Sequence, residues 1–208
     1  VIPPRLAPAH VVILPMTDRA DNPEAVRNYV RKLADDLRVI PYHGRHLEVE
    51  VDNRDIRGGE KNWQWVRRGV PIRVEVGQRD MDGDSVFMAR RDQQGKEGID
   101  RTAFLGSVVD ILEEMQQGIH DRAVAFRTDH TVDIDSEDDF REFFAAPAGE
   151  PTPIHGGFAQ AHFCGDPAVE TRIKDELGVT VRCIPFGEDD PGTCIFTGQP
   201  SAKRLIWA

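Results

Sequence analysis

The sequence predicts an α/β domain with a mixed sheet flanked by helices, followed by a small α+β domain. Three observations support this prediction. Strand-like and helix-like patterns alternate over residues 1–126, which is typical of α/β layers. Residues 147–157 are rich in Pro and Gly and are typical of a loop or linker. A compact set of strands around one helix follows, so we place the domains at 1–130 and 131–208, with the boundary between 130 and 157.

The first elements each have a local signal. Val11–Leu14 is apolar throughout, which indicates a buried strand. Asn22 before Pro23 is typical of a helix start, and apolar residues at helical spacing follow. Residues 47–51 alternate between apolar and acidic side chains, as a half-exposed strand does. Two glycines then precede a short helix, predicted over residues 60–68.

The later elements are predicted in the same way. Ile72, Val74 and Val76 alternate with charged residues and indicate a strand, and the apolar face of a long helix runs from about Thr102 to Phe126. A capping box at Ser136 begins a short helix. The second domain has a helix over 167–177 and strands near 158–163, 179–184, 194–196 and 204–207.

Charge is distributed unevenly along the chain. The net charge is −10, but residues 1–98 carry 17 basic and 16 acidic side chains, whereas residues 99–208 carry 9 and 20. Residues 54–73 hold six basic and two acidic side chains. Because phosphate neutralisation acts at short range in salt, a nucleic-acid partner is expected on the first half.

Other functional classes have little support. No apolar run could span a membrane, and three widely spaced cysteines favour a reducing cytoplasm over a disulfide framework. The sequence begins with Val1 and not with an initiator Met, and its first residues have no signal-peptide pattern. We therefore interpret the chain as part of a longer protein. The residues offer no catalytic constellation, no phosphate-binding glycine loop and no metal-ligand spacing of histidines.

Three blocks of sequence carry a family resemblance. They are Pro3-Pro4-Arg5-Leu6-Ala7-Pro8, the stretch from Asp52 to Asp80 with Gly69-Val70-Pro71-Ile72-Arg73-Val74-Glu75-Val76-Gly77, and a C-terminal set. That last set is Phe163-Cys164-Gly165-Asp166, Arg182-Cys183-Ile184-Pro185-Phe186 and Gly198-Gln199-Pro200-Ser201-Ala202-Lys203-Arg204. In this order the chain resembles the C-terminal region of prolyl-tRNA synthetases of the archaeal and eukaryotic-like type.

The resemblance implies the fold and the function of a class II synthetase anticodon-binding domain. This domain would grip the anticodon loop of tRNA(Pro), and the last domain would pack against the parent's catalytic domain. Proline–tRNA ligase activity, with ATP and magnesium, would belong to a catalytic domain outside this chain. The parent is expected to be a cytoplasmic homodimer.

The resemblance also points to residues that bind the anticodon. Arg73 stands at a family position for reading guanine, where its side chain could donate two hydrogen bonds to O6 and N7. The alternative is an exposed arginine paired with Glu75. Arg79 and Asp80 match a further pair of family positions, although Asp80 could equally be a turn residue.

The short helix and its preceding loop add further candidates. Trp63 and Trp65 are two residues apart and lie on different sides of a helix, so one could be core and the other a platform for a base. We take Trp65 as anticodon-binding, and both tryptophans packing on the sheet is the alternative. Lys61 and Arg54 are candidate phosphate contacts. Arg67 and Arg68 suit the helix C-terminus as well as phosphate.

The sequence departs from the family at two kinds of site. Many members have Phe and Glu where this chain has Asn62 and Val66, which puts family-type anticodon reading in doubt. Cys164 and Cys194 match two ligands of a family four-cysteine zinc site, but Val169 and Thr197 stand at the other two positions. Zinc is therefore not expected, and all three cysteines are predicted to be small buried residues.

Two other functions stay open. The chain could be a free-standing synthetase-like module that binds tRNA or a protein without ligase activity. It could also come from another class II synthetase with the same anticodon domain, although the blocks around Cys164 and Arg182 argue against that.

Overall fold

The structure is a computed structural model that describes residues 2–18, 20–145, 156–187 and 189–208. It contains two compact units, Val1–Arg122 and Ala123–Ala208. In the described part of the chain, no helix is long and apolar enough to cross a membrane. The predicted Pro- and Gly-rich segment at 147–157 lies almost wholly outside the described residues. The domain boundary at 130 stays a prediction.

The first unit alternates strands and helices, as the sequence predicts. After a 3₁₀ turn at Pro4–Leu6, its elements in chain order are β1 (Val11–Pro15), α1 (Pro23–Arg38), β2 (Pro41–Tyr42), β3 (Arg45–His46), β4 (Val49–Val51), α2 (Gly58–Arg67), β5 (Ile72–Val76), α3 (Gln78–Asp82), β6 (Ser85–Arg90), β7 (Glu97–Asp100) and α4 (Arg101–Asp129).

The main sheet of this unit is mixed. Its strand order is β4-β1-β5-β6-β7. Strand β1 is parallel to both β4 and β5, β6 is antiparallel to β5, and β7 is antiparallel to β6. Strand β1 lies between two other strands and is buried along its whole length, which explains its unbroken apolar run. Helix α1 begins where predicted, because the Asn22 side chain accepts a hydrogen bond from the Ala25 N–H and Pro23 occupies the first turn.

The two faces of the sheet are covered to different extents. On one face, Val11, Ile13 and the alternate residues of β5 pack with apolar residues of α1 and α4 in one core. On the other face a smaller cluster joins Val12 and Leu14 of β1 to Trp65 of α2. Helix α2 thus covers β1, whereas Phe87 of β6 on the same side is exposed.

Several short elements had no sequence signal. Strands β2 and β3 form a hairpin whose turn residues, His43 and Gly44, both have positive φ. Such turns usually contain Asn-Gly or Asp-Gly. Because His occupies the first position here, the hairpin was not predicted. Helix α3 and strand β7 were also not predicted, and α2 begins two residues before its predicted start, at Gly58.

The second unit combines a small sheet with two further helices. After the end of α4 its elements are β8 (Thr131–Asp133), α5 (Glu137–Phe144), β9 (Phe158–His162), α6 (Pro167–Leu177), β10 (Val181–Cys183), β11 (Gly192–Thr193), β12 (Pro200–Ser201) and β13 (Arg204–Trp207). The sheet order is β10-β13-β9-β8, and β11 pairs only with β12. Helix α6 has its predicted bounds and ends at Gly178, whose φ is 72°.

An aromatic cluster fills the core of this unit. The Trp207 ring is fully buried and lies 5.1–5.5 Å, centroid to centroid, from three phenylalanine rings, those of Phe140, Phe163 and Phe196. Phe163 and Ile173 are also buried in this unit. The strand predicted near 179–184 ends at Cys183 as β10, which leaves Ile184 exposed beyond the sheet.

Two further predictions for this unit are wrong. Residues 194–196 form a turn and not a strand, since the pairing with β12 ends at Thr193. The three cysteines are not all buried: Cys194 is buried, Cys164 is half-buried and Cys183 is exposed on the edge strand β10.

Candidate nucleic-acid interface

Arg73 lies on the sparsely covered face of the main sheet. Its neighbours Ile72 and Val74 point into the core, so strand alternation places Arg73 on the opposite side. The Arg73 Nε donates a 2.5 Å hydrogen bond to Oδ1 of Asn62 on α2. Among the described residues its buried Nη1 has no partner. Burial lowers the pKa of Arg73, and the Glu75 carboxylate opposes that shift.

The open sheet face continues from Arg73 toward β6 and β7. Glu75 is opposite Phe87 in the antiparallel register, and its carboxylate pairs with the Lys96 ammonium at 2.5 Å. The same ammonium lies 5.9 Å from the centre of the Phe87 ring, which is a cation–π distance. A cation, a carboxylate and an exposed ring therefore adjoin Arg73, and the sequence interpretation had not included Phe87 or Lys96.

The two tryptophans of α2 have different environments. Trp65 is only 8% exposed, its Nε1 donates to Asp52 Oδ2 at 2.8 Å, and the Arg68 guanidinium lies 4.7 Å from its ring. Trp63 is 62% exposed. One tryptophan in the core and one on the surface is one of the two arrangements predicted. The choice of Trp65 as the anticodon-binding ring stays a prediction, and the structure places that ring in the interior. Trp63 is the ring that could stack on a base.

Asp52 organises the loop before α2. Its carboxylate is buried and accepts hydrogen bonds from Arg54 Nε at 2.9 Å and Nη2 at 2.6 Å, besides the Trp65 bond. The Arg54 guanidinium holds the pKa of the Asp52 carboxyl well below its usual value, and the Trp65 bond adds to this effect. Asp52 opens one of the motif blocks, but only the fold shows that its charge is buried.

Both Arg54 and Lys61 have structural partners at Asp52. Each side-chain nitrogen of Arg54 has a partner, since its Nη1 also donates to Gln64 Oε1 at 2.8 Å. Lys61 is only 7% exposed, and its Nζ donates to the Asp52 carbonyl at 3.3 Å. Both residues line a polar hollow of about 410 Å³ together with Arg27. Their predicted phosphate contacts stay predictions, with a structural role now visible for each.

Arg79 and Asp80 lie on α3, directly after β5. The Asp80 carboxylate accepts a 2.8 Å hydrogen bond from the Gly77 N–H and so caps the helix to which it belongs. Arg79 is exposed. Asp80 is thus held by a local bond, while Arg79 is the more available of the two for RNA.

The residues present at the family's zinc positions do not fit that metal. In the described part of the chain, no group of three or more His, Cys, Asp or Glu side chains could hold a metal ion. The Cys164 thiol lies 3.5 Å from the Thr197 hydroxyl, so a hydroxyl stands where a thiolate ligand would be needed. The expected absence of zinc remains a prediction for metal analysis.

Two family models match this chain. The one described as "Anticodon binding domain" matches residues 10–111, and the one described as "Prolyl-tRNA synthetase, C-terminal" matches residues 153–208. The first match contains every candidate RNA-binding residue named above. The second covers Phe163, Phe196 and Trp207 of the aromatic core and the loops that carry Cys164 and Cys194.

Curated relatives align with the whole chain. "Proline--tRNA ligase 2" of Anaeromyxobacter dehalogenans is 47% identical over all of this chain and 42% of its own length. The "Proline--tRNA ligase" of Rhodopirellula baltica is 44% identical over all of this chain and 40% of its own length. The chain thus spans about two fifths of the length of these relatives.

A solved structure has the same fold. The crystal structure of a prolyl-tRNA synthetase from Cryptosporidium parvum, complexed with L-proline and AMP, matches all of this chain with a TM-score of 0.81. The match covers 42% of that chain at 24% identity, so it bears on fold alone. Two family models in sequence order and relatives at 44% and 47% identity carry the assignment. The chain belongs to the prolyl-tRNA synthetase family, in which it corresponds to the anticodon-binding and C-terminal domains.

Proposed function

We propose that this chain is the tRNA-selecting part of a longer proline–tRNA ligase, which joins proline to tRNA(Pro) with ATP. The family membership supports the reaction, and the open face of the main sheet supports the role of this part. Catalysis with ATP and magnesium would take place in a catalytic domain outside these residues. We further propose a cytoplasmic homodimer as the assembly.

The observation that carries the proposal is the state of Arg73. Its Nε is held by Asn62, while its buried Nη1 has no partner among the described residues. A buried donor without an acceptor costs about 1–3 kcal/mol, so an acceptor supplied by a ligand would bind favourably there. Guanine presents two acceptors, O6 and N7, which match the fork of an arginine.

The surroundings of Arg73 suit unpaired bases. Anticodon bases are single-stranded and are read by stacking on rings and by hydrogen bonds to their edges. Trp63 and Phe87 are exposed rings on either side of the Arg73 strand, one on α2 and one on β6. Lys96 and Arg79 add positive charge for the phosphate backbone. A continuous RNA path over this face is therefore our proposal for the anticodon loop.

Aminoacylation by the longer protein that contains this chain tests the proposal. We expect Arg73→Ala to lower kcat/KM for tRNA(Pro) by about 10- to 100-fold, the loss of one bidentate guanine contact. Proline activation without tRNA should be unchanged, because the substitution lies outside the catalytic domain. Arg31→Ala is the matched control, since Arg31 is an exposed arginine on α1, which packs on the opposite face of the sheet.

Two outcomes would decide against the proposal. Equal kcat/KM for the Arg73→Ala and Arg31→Ala proteins would remove Arg73 from tRNA recognition. Absence of proline activation in the unaltered protein would instead favour a module that binds tRNA or a protein without ligase activity. The observation that favours this second candidate is Asn62 and Val66 at positions where many family members have Phe and Glu.

A further inference from the structure

Two loops of the second unit bring two thiols together. Cys164 follows the end of β9, and Cys194 follows β11. The Ile195 N–H donates a 3.1 Å hydrogen bond to the His162 carbonyl, which fastens the second loop to the end of β9. Both cysteines pack in the same apolar cluster, although they are 30 residues apart in the chain.

The loop around Cys194 is fixed by its own hydrogen bonds. The Cys194 N–H donates to the Gln199 carbonyl at 2.8 Å, and the Gly198 N–H donates to the Cys194 carbonyl at 2.9 Å. The Thr197 hydroxyl lies 3.5 Å from the Cys164 sulfur, so this loop reaches across to the first thiol. Backbone hydrogen bonds therefore fix the loop that carries Cys194 close to the end of β9, which precedes Cys164.

The Cys194 sulfur has a polar surrounding inside an apolar core. Burial raises the pKa of the Cys194 thiol, but hydrogen bonds from Thr197, from the Cys164 and Phe196 backbone N–H groups and from the Cys164 thiol outweigh it, so that the pKa lies below its ordinary value. Cys194 is only 2% exposed, while Cys164 is half-buried. Cys164 is thus the more exposed residue of the two, and Cys194 is its neighbour in the interior.

We propose that Cys164 and Cys194 form a dithiol that a hydroperoxide converts into an intramolecular disulfide. This modification is independent of the proposed tRNA binding. The third cysteine, Cys183, is exposed on β10. Two adjacent thiols, of which one is accessible and the other hydrogen-bonded, are the arrangement that such oxidation requires.

The reaction proceeds in two balanced steps. The Cys164 thiolate attacks the peroxide oxygen, the O–O bond breaks, and Cys164 becomes a sulfenic acid while the other oxygen leaves as hydroxide and is protonated to water. The Cys194 thiolate then attacks the Cys164 sulfur and displaces a second hydroxide, which is protonated in the same way. Two thiols and one hydrogen peroxide molecule thus give one disulfide and two water molecules.

The test uses the 208-residue chain with the Cys183→Ser substitution, which removes the exposed thiol and keeps the pair. After treatment with hydrogen peroxide in slight molar excess, we expect the intact mass to fall by two hydrogen atoms. Both alkylatable thiols should disappear and return on addition of dithiothreitol. Peptide mapping should find the Cys164 peptide linked to the Cys194 peptide within one chain.

A second variant tests the sulfenic acid intermediate separately. In the chain with Cys183→Ser and Cys194→Ser, Cys164 should stop at the sulfenic acid, which dimedone traps. Circular dichroism checks that this variant is folded. If the Cys183→Ser chain instead gains oxygen atoms while both cysteines stay unlinked, or forms only a disulfide between two chains, the proposal is wrong.

Discussion

Two arginines beside helix α2 have opposite environments. Arg54 is saturated in the sense that each of its three side-chain nitrogens has a partner, two in the buried Asp52 carboxylate and one in Gln64. Arg73 has one bond to the Asn62 amide and a buried nitrogen without a partner among the described residues. A saturated arginine stabilises the fold, whereas an under-partnered one has donors left for a ligand. Arginine near a binding face is therefore not evidence of binding until its partners are counted.

The largest expected effect concerns the saturated arginine's partner. Asp52→Ala should lower the free energy of unfolding by about 2–4 kcal/mol, because it leaves Trp65 Nε1 buried without an acceptor and removes the Arg54 pair. Urea denaturation measures the change. Glu50→Ala, on the neighbouring strand β4 with an exposed side chain, is the control and should change it little. Equal stability of the two variants would show that the buried carboxylate contributes nothing.

The same carboxylate should give a dependence of stability on pH. Its pKa is lowered in the folded state, so its contribution is fully present above the unfolded pKa of about 4 and is lost as the pH falls through the lower folded pKa. Unfolding free energy measured from pH 6 downward should fall less steeply in Asp52→Asn than in the unaltered chain. Parallel curves for the two proteins would contradict this.

Arg73, in contrast to Asp52, is expected to affect RNA binding more than stability. Arg73→Ala should weaken binding of an anticodon stem-loop with the UGG anticodon by about 1–3 kcal/mol, with little change in unfolding free energy. Arg54→Ala should do the opposite, lowering stability and weakening RNA binding by less than Arg73→Ala does. Binding titrations and urea denaturation of both variants sharpen the comparison. If both variants lose affinity equally, the distinction between a saturated and an available arginine does not hold here.

A smaller effect is expected at the residue that holds Arg73. Asn62→Ala removes the acceptor of the Arg73 Nε and should weaken stem-loop binding by about 1 kcal/mol, because the guanidinium must then be ordered by the ligand. Asn62→Gln tests whether an amide on a side chain one carbon longer restores the stem-loop affinity. Combining Asn62→Ala with Arg73→Ala should add nothing to the Arg73 effect, and full additivity would show that the two residues act separately.

The smallest effect should be seen in the salt dependence. The unaltered chain should bind RNA less tightly as salt rises, because its few basic contacts release counterions. Arg79→Ala should reduce the slope of log affinity against log salt by about one if Arg79 contacts one phosphate. Affinity of the unaltered chain that does not change between two salt concentrations would exclude the electrostatic part of the proposal.

Elements with local signals could be predicted from the amino-acid sequence alone. The apolar run of β1, the Asn22 cap of α1, the Ser136 cap of α5 and the bounds of α6 follow from periodicity and capping chemistry, which act over a few residues. Motif blocks likewise placed Arg73 on the polar side of its strand. The hairpin at His43 and Gly44 had no such signal, because its turn uses an unusual residue.

Which side chains are interior depends on how the elements pack and could not be predicted from local patterns. Spacing put Trp63 and Trp65 on different sides of α2, but the docking of α2 over β1 determined that Trp65 is buried. The same docking buried the Asp52 carboxylate and thereby turned Arg54 into a structural residue. Periodicity is a property of a few neighbouring residues, whereas coverage of a face depends on elements distant in the chain, and burial sets the energetic weight of a charge.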